Sequence, residues 1–213
     1  MRIHPAAIVS AKTVVQNLNG RSADGGLSLP WLGSMVAAAG PGNHLDIGSL
    51  FGASAITAAL VKKELKHSGK VYCLDPYEPR DPSMKPPNMP DALFNATGEA
   101  LMHNAEKLGV ELELIQKKSQ PWPEELDKVL FSSAFVDGDH KNGAPWLDFQ
   151  ECAKRTSGYI GIDNCEEGYP DVVDAMVKAM QTNEWFLYFK NNLFVALRRT
   201  LPTRGEGTPL QVM

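Results

Sequence analysis

From His44 onward, apolar residues fall into blocks of five or six, separated by amphipathic stretches of ten or more residues. This pattern predicts strand 44–48, helix 53–67, strand 70–75, helix 91–108, strand 110–116, a short helix 122–128, strand 129–136, helix 143–155, strand 158–163 and helix 170–182. Short apolar runs that alternate with amphipathic helices indicate βαβ units on a parallel sheet. The end of the chain departs from this rhythm. EWFLYFKNNLFVALRR at 184–199 contains two β-rich runs joined across Lys190-Asn191-Asn192, where asparagine tolerates the positive φ of a tight turn, so it reads as a β-hairpin.

Upstream, residues 1–27 are weakly patterned, and GRSADGG at 20–26 reads as a loop before a helix at 29–39 that stops at Gly40-Pro41-Gly42. Residues 1–40 are expected to form a helical cap on the sheet or over a ligand. The segment PYEPRDPSMKPPNMP at 76–90 holds six of the fifteen prolines and follows the second strand, which marks it as an insertion beside the ligand edge. Residues 200–213 read as a frayed tail. The expectation is one α/β domain over residues 1–213, a Rossmann-like, mostly parallel seven-stranded sheet with helices on both faces and a C-terminal antiparallel hairpin.

Composition narrows the function. At 213 residues and 43% hydrophobic content the chain can bury one substantial core. A net charge of −4 gives no basic footprint for nucleic acid. Cys73, Cys152 and Cys165 are odd in number and contain no CxxC pair, which fits reduced thiols in a cytoplasmic protein better than a disulfide framework or structural zinc. No apolar run approaches 18 residues, so no membrane span is expected.

The chemistry gathers at four strand ends: HLDIGSLFGAS (44–54), VYCLDPYEP (71–79), AFVDGDHKN (134–142) and GYIGIDNCEEG (158–168). An open parallel sheet binds its ligands at the carboxyl ends of its strands. Gly48 and Gly52 open the first βα turn, and Asp75 ends the next strand at the offset where an acid accepts hydrogen bonds from ribose hydroxyls. Together they point to a nucleoside ligand. Ser49, Leu50 and Phe51 stand between the glycines and no P-loop lysine follows, so the turn lacks a phosphate-binding pattern. Asp137 closes the fourth strand, and Asp163-Asn164 closes the fifth. Adjacent strands lie about 4.8 Å apart, so these two carboxylates and one amide oxygen suit a hard cation such as Mg²⁺. Taken singly, each acid also reads as a helix cap or turn residue.

This order of motifs resembles the class I S-adenosylmethionine (SAM) dependent methyltransferases, in particular the metal-assisted O-methyltransferases. The resemblance spans roughly residues 30–200. It implies that Asp46 faces the methionine amino group, Gly48 the cofactor backbone, Ser54 the carboxylate and Asp75 the ribose, with Gly52 also in the cofactor-binding turn. Adenine would lie near Lys118-Ser119-Gln120, with Ser119 the contact and no acid in that run. Asp137, Asp163 and Asn164 match the Mg²⁺ ligands of catechol- and caffeoyl-type enzymes. Those enzymes usually carry lysine where His140 stands. The Asp-Gly-Asp-His form instead resembles bacterial methyltransferases acting on sugar and natural-product hydroxyls, which implies His140 as base, with Lys141 the alternative. Asp137 and Asp139 would border the cofactor, and Asp139 equally reads as a brace of the turn.

The expected activity is methyl transfer from SAM to a hydroxyl of a small molecule, with Mg²⁺ assistance, and a homodimer is allowed. Two alternatives stand beside it. One is a metal-free SAM-dependent enzyme acting on nitrogen or another acceptor, and the other is a nucleoside-binding regulatory module without turnover.

Overall fold

The computed structural model describes residues 2–18, 26–78, 95–191 and 194–200. Seven strands form one sheet: β1 (Asn43–Ile47), β2 (Val71–Leu74), β3 (Glu113–Ile115), β4 (Phe131–Val136), β5 (Thr156–Ile162), β6 (Trp185–Lys190) and β7 (Val195–Arg199). Their order is β3-β2-β1-β4-β5-β7-β6. The first five strands run parallel, and β7 is antiparallel to both β5 and β6. Among the described residues six α-helices accompany them: α1 (Pro5–Asn17), α2 (Leu29–Ala39), α3 (Ala53–Glu64), α4 (Gly98–Lys107), α5 (Ala144–Arg155) and α6 (Pro170–Gln181). This is the Rossmann-like sheet with a terminal hairpin that the sequence pattern predicts.

The differences have local causes. Helix α1 lies in the stretch that reads as weakly patterned, because its buried face is mostly small: Ala6, Ala7, Ser10, Ala11 and Val14. It starts where the His4 ring accepts the Ala6 N–H at 3.2 Å, with Pro5 in the first helical turn. Helix α4 begins at Thr97, whose hydroxyl accepts the Ala100 N–H, so residues 95–97 precede the helix and 91–94 lie outside the described residues. The strand expected at 110–116 shortens to three residues, and the helix expected at 122–128 is a single 3₁₀ turn, Glu124–Leu126. Of the proline-rich insertion only residues 76–78 are described, and of the tail only Thr200.

Strand alternation divides the core. Leu45, Ile47, Leu74, Val136, Ile160 and Ile162 pack toward Phe149 and Cys152 of α5 and Val172 of α6. Cys73, Phe135 and Tyr159 pack on the opposite face, with α1, α2 and α3. The ladder continues one residue past three strands: Asp75 N–H donates to Ile115 O, Asp137 N–H to Ile47 O and Asp163 N–H to Val136 O, at 3.0–3.3 Å. The period of two therefore places Asp46, Asp75, Asp137 and Asp163 on one face, that of α1–α3, at the carboxyl edge of the sheet.

His44, fully buried in β1, bonds Ser133 Oγ through Nδ1 at 2.8 Å. Burial first, and then the charge of nearby Lys62, lower its pKa against a raising contribution from Ser133, to about 3 in all. An unfolded chain binds a proton at this residue below its ordinary value of 6.5, whereas the fold resists it down to about 3. His44 therefore makes stability fall with acid across that window, by at most about 1.4 kcal/mol per pH unit. Asp46 acts in the opposite sense between 3.8 and about 6. Urea unfolding from pH 7 to 4 is expected to show a shallower acid loss in His44→Asn than in the natural chain. Parallel pH curves would remove His44 as the source.

Candidate active site

The first βα turn is shaped by the protein's own backbone. Gly48 has φ +86°, and its N–H donates to Leu74 O at 2.9 Å. A Cβ there would lie 1.9 Å from Asp137 O, so the glycine lets the β1 turn pack against the Asp137 turn. Gly52 caps α3 with φ +87°, facing Ile56 and Leu101.

Asp46 lies under this turn without solvent exposure. Its Oδ2 accepts the Ser54 hydroxyl at 2.9 Å, and its main-chain carbonyl accepts Ser49 Oγ at 3.1 Å. Among the described residues Oδ1 has no hydrogen-bond partner. Burial, aided by the Asp75 charge and opposed by the Ser49 and Ser54 hydroxyls, pushes this carboxyl up to about 6. An ammonium group placed at Oδ1 would satisfy the open acceptor and stabilise the charged form. Ser54 is thus turned toward Asp46.

Asp75 is also buried. Its Oδ2 accepts the Leu50 N–H and its Oδ1 the Tyr77 N–H, both at 3.0 Å. Tyr77 closes the ring of contacts by donating its hydroxyl to Leu50 O at 2.6 Å. Each carboxylate oxygen keeps a further lone pair for a vicinal diol. Trp31 stacks on Phe189 at 4.1 Å between ring centroids, on the same face of the sheet as the four acids.

Around the next two strand ends the structure brings Asp137, His140, Asp163 and Asn164 together. His140 Nε2 lies 3.4 Å from Asp137 Oδ1, at ion-pair rather than hydrogen-bond range. Burial lowers the imidazole pKa, opposed by the charges of Asp163 and Asp139 and by the Asn164 side chain. A neutral ring at neutral pH is ready to accept a proton. Asn164 adopts φ +52°, a conformation that asparagine tolerates. Asp139 is exposed and its Oδ1 accepts the Lys141 N–H at 3.1 Å, so it braces the turn, and Lys141 is exposed. Among the described residues no group of three or more His, Cys, Asp or Glu side chains gathers as a metal cluster. The adjacent donors Asp137, Asp163 and Asn164 are two carboxylates and an amide, an all-oxygen set that fits a hard cation.

Three nearby residues carry no motif. Asp148 of α5 is 1% exposed, and its Oδ1 accepts the Gln120 amide at 3.2 Å; burial raises its carboxyl pKa, and the Ser119 and Gln120 side chains lower it. Asp148 thus supplies an acid to the 118–120 run from another element. An acid between Leu147 and Phe149 on an amphipathic helix was the one available signal, and it resembles an ordinary surface position. Tyr169 and Asp171, at the start of α6, reach the His140 turn from a helix remote in sequence.

Residues 45–165, more than half of the chain, match the family described as "Methyltransferase domain". The chain belongs to this methyltransferase family. No curated protein matches it. Its fold is similar to that of the Bacillus cereus O-methyltransferase in complex with S-adenosylhomocysteine (SAH), with TM-score 0.63, 16% identity, and coverage of 90% of this chain and 91% of that one. TomG, the Streptomyces achromogenes O-methyltransferase of tomaymycin synthesis in complex with SAM, gives TM-score 0.58 and 16% identity over 90% and 89% of the two chains. The SAH-bound Podospora anserina methyltransferase PaMTH1 gives 0.59 and 15% over 93% and 89%. The methyltransferase family is thus joined to a fold seen around SAM and SAH. Among the described residues no helix is long and apolar enough to cross a membrane.

Proposed function

We propose that this methyltransferase moves the methyl group of SAM to a hydroxyl of a small molecule, with Mg²⁺ assistance. The observation that carries the reading is the placement of four acids on one face of the carboxyl edge, with His140 set among Asp137, Asp163 and Asn164. The SAM- and SAH-bound neighbours support the choice of co-substrate. Asp46 takes the ammonium of the methionine moiety at its open Oδ1, and Asp75 takes the ribose diol. The acceptor hydroxyl gives its proton to His140 as its oxygen attacks the methyl carbon in line with the sulfonium. The new C–O bond forms, the C–S bond breaks with its electron pair going to sulfur, and SAH and a methyl ether result. The chain's work is to orient the two reactants and accept the proton. Asp137, Asp163 and Asn164 would hold Mg²⁺, which when bound lowers the pKa of an adjacent hydroxyl and fixes its position.

A metal-free version has one observation in its favour. Asp137 Oδ1 lies 3.4 Å from His140 Nε2, close enough for its charge to stabilise the imidazolium that forms as the base takes its proton. Calorimetry with SAH, NAD and ATP tests the nucleoside reading; SAH is expected to bind, and binding of NAD or ATP without SAH would sink it. Asp75→Ala is expected to weaken SAH by about 1–3 kcal/mol, the loss of a charged hydrogen-bond acceptor. Turnover on a panel of catechols and sugars, with and without chelator, then separates the versions. Chelator-insensitive activity would assign the chemistry to His140 and Asp137 alone.

A further inference from the structure

The turn that carries His140 meets another element at two points. Gly143, which caps α5 with φ +72°, donates its N–H to Asp171 Oδ2 at 3.0 Å. The Tyr169 ring lies 5.1 Å from the His140 ring, centroid to centroid, at an interplanar angle of 50°. Asp171 and Tyr169 stand on either side of Pro170, where α6 begins. Within the turn, Asp139 Oδ1 accepts the Lys141 N–H and Lys141 O accepts the Ala144 N–H. These local bonds set the shape of the turn. They do not set its position over the sheet edge, because Asn142 and Gly143 are both in left-handed conformations and reverse the chain just beyond His140.

We propose that the start of α6 is the seat of the catalytic turn, with Asp171 and Tyr169 as positioning residues for His140. This inference rests on the reading of His140 as the base. Asp171 anchors the far end of the turn through Gly143. Tyr169 blocks the imidazole from rotating away from Asp137 and Asp163. A base displaced by about 1 Å loses rate steeply, whereas ligands held at Asp46 and Asp75 do not sense it.

Asp171→Ala, Asp171→Asn, Tyr169→Ala and Tyr169→Phe test the seat, since the Asn and Phe variants keep the acceptor oxygen and the ring. The first readout is the His140 ring Cε1–H resonance in the SAH-bound protein, assigned by its loss in His140→Ala. Tyr169 supplies a ring current, so displacement of the turn in Asp171→Ala moves this signal, and Asp171→Asn restores it. The second readout is transfer to 3,4-dihydroxybenzoate or another acceptor from the panel. The expected result in both alanine variants is a kcat lower by roughly ten- to a hundredfold, an unchanged KM for SAM and recovery in the conservative variants. An unmoved His140 signal in Asp171→Ala, or equal losses of kcat and SAH affinity, would overturn the seat. If the signal moves as expected while the natural chain methylates no acceptor, the seat stands and the methyl-transfer reading falls.

Discussion

Replacing His140 with alanine is expected to slow methyl transfer by roughly 10²–10⁴-fold and leave SAH affinity unchanged. His140 is the half-buried imidazole among Asp137, Asp163 and Asn164, whereas Asp46 and Asp75 stand on other strands, β1 and just past β2. Removing the ring takes away the proton acceptor and leaves the nucleoside contacts in place. Lys141→Ala is the control. That side chain is exposed, and the bond to Asp139 is made by the main-chain N–H, which alanine keeps, so its loss is expected to matter little. Single-turnover rates and SAH titrations on both variants decide the assignment. A large rate loss in Lys141→Ala with little in His140→Ala would move the base by one residue.

Gly48→Ala is expected to cost at least about 2 kcal/mol of stability and to abolish SAH binding. An alanine at φ +86° bears the left-handed penalty of about 1–2 kcal/mol. Its Cβ would also stand 1.9 Å from Asp137 O and 2.5 Å from Asp137 C, so either the β1 turn or the Asp137 turn must move. Both belong to the site, and that couples the stability loss to the binding loss. Gly143→Ala separates the two costs, because Gly143 has φ +72° and no atom within 4 Å of a built Cβ. It should lose only the conformational part. Urea midpoints for the two variants are the measurement, and equal losses would show that the collision with Asp137 is relieved at no cost.

The strand ends were legible because their pattern is local. A five-residue apolar run that stops at an acid identifies itself, so Asp46, Asp75, Asp137 and Asp163 stand out before any fold is known. Once a parallel sheet is granted, the period of two places them at one edge. The terminal hairpin was equally visible, since its two runs are close in sequence and share the asparagine turn. Helix α1 was obscured because alanine and serine bury too little area to leave a strong period, although they allow close packing; Gly33 of α2 approaches Ala7 so closely that an added Cβ would lie 2.8 Å from the Ala7 methyl.

Tertiary structure alone decided what each site residue touches. The Gly48 turn reads as a loop opened for a ligand, yet the atom that excludes a side chain there is Asp137 O, about ninety residues later in the chain. Ser54 reads as a carboxylate contact, and in the fold its hydroxyl meets Asp46. The acid missing from the 118–120 run arrives as Asp148 from α5, and the His140 turn rests on Tyr169, just before α6, and Asp171 in its first turn. The sequence by itself determined the order of elements and the chemistry at the sheet edge, because periodicity and strand-end acids act over a few residues. The partners of those groups depend on which helices cross above them, and that follows from packing between segments far apart in the chain.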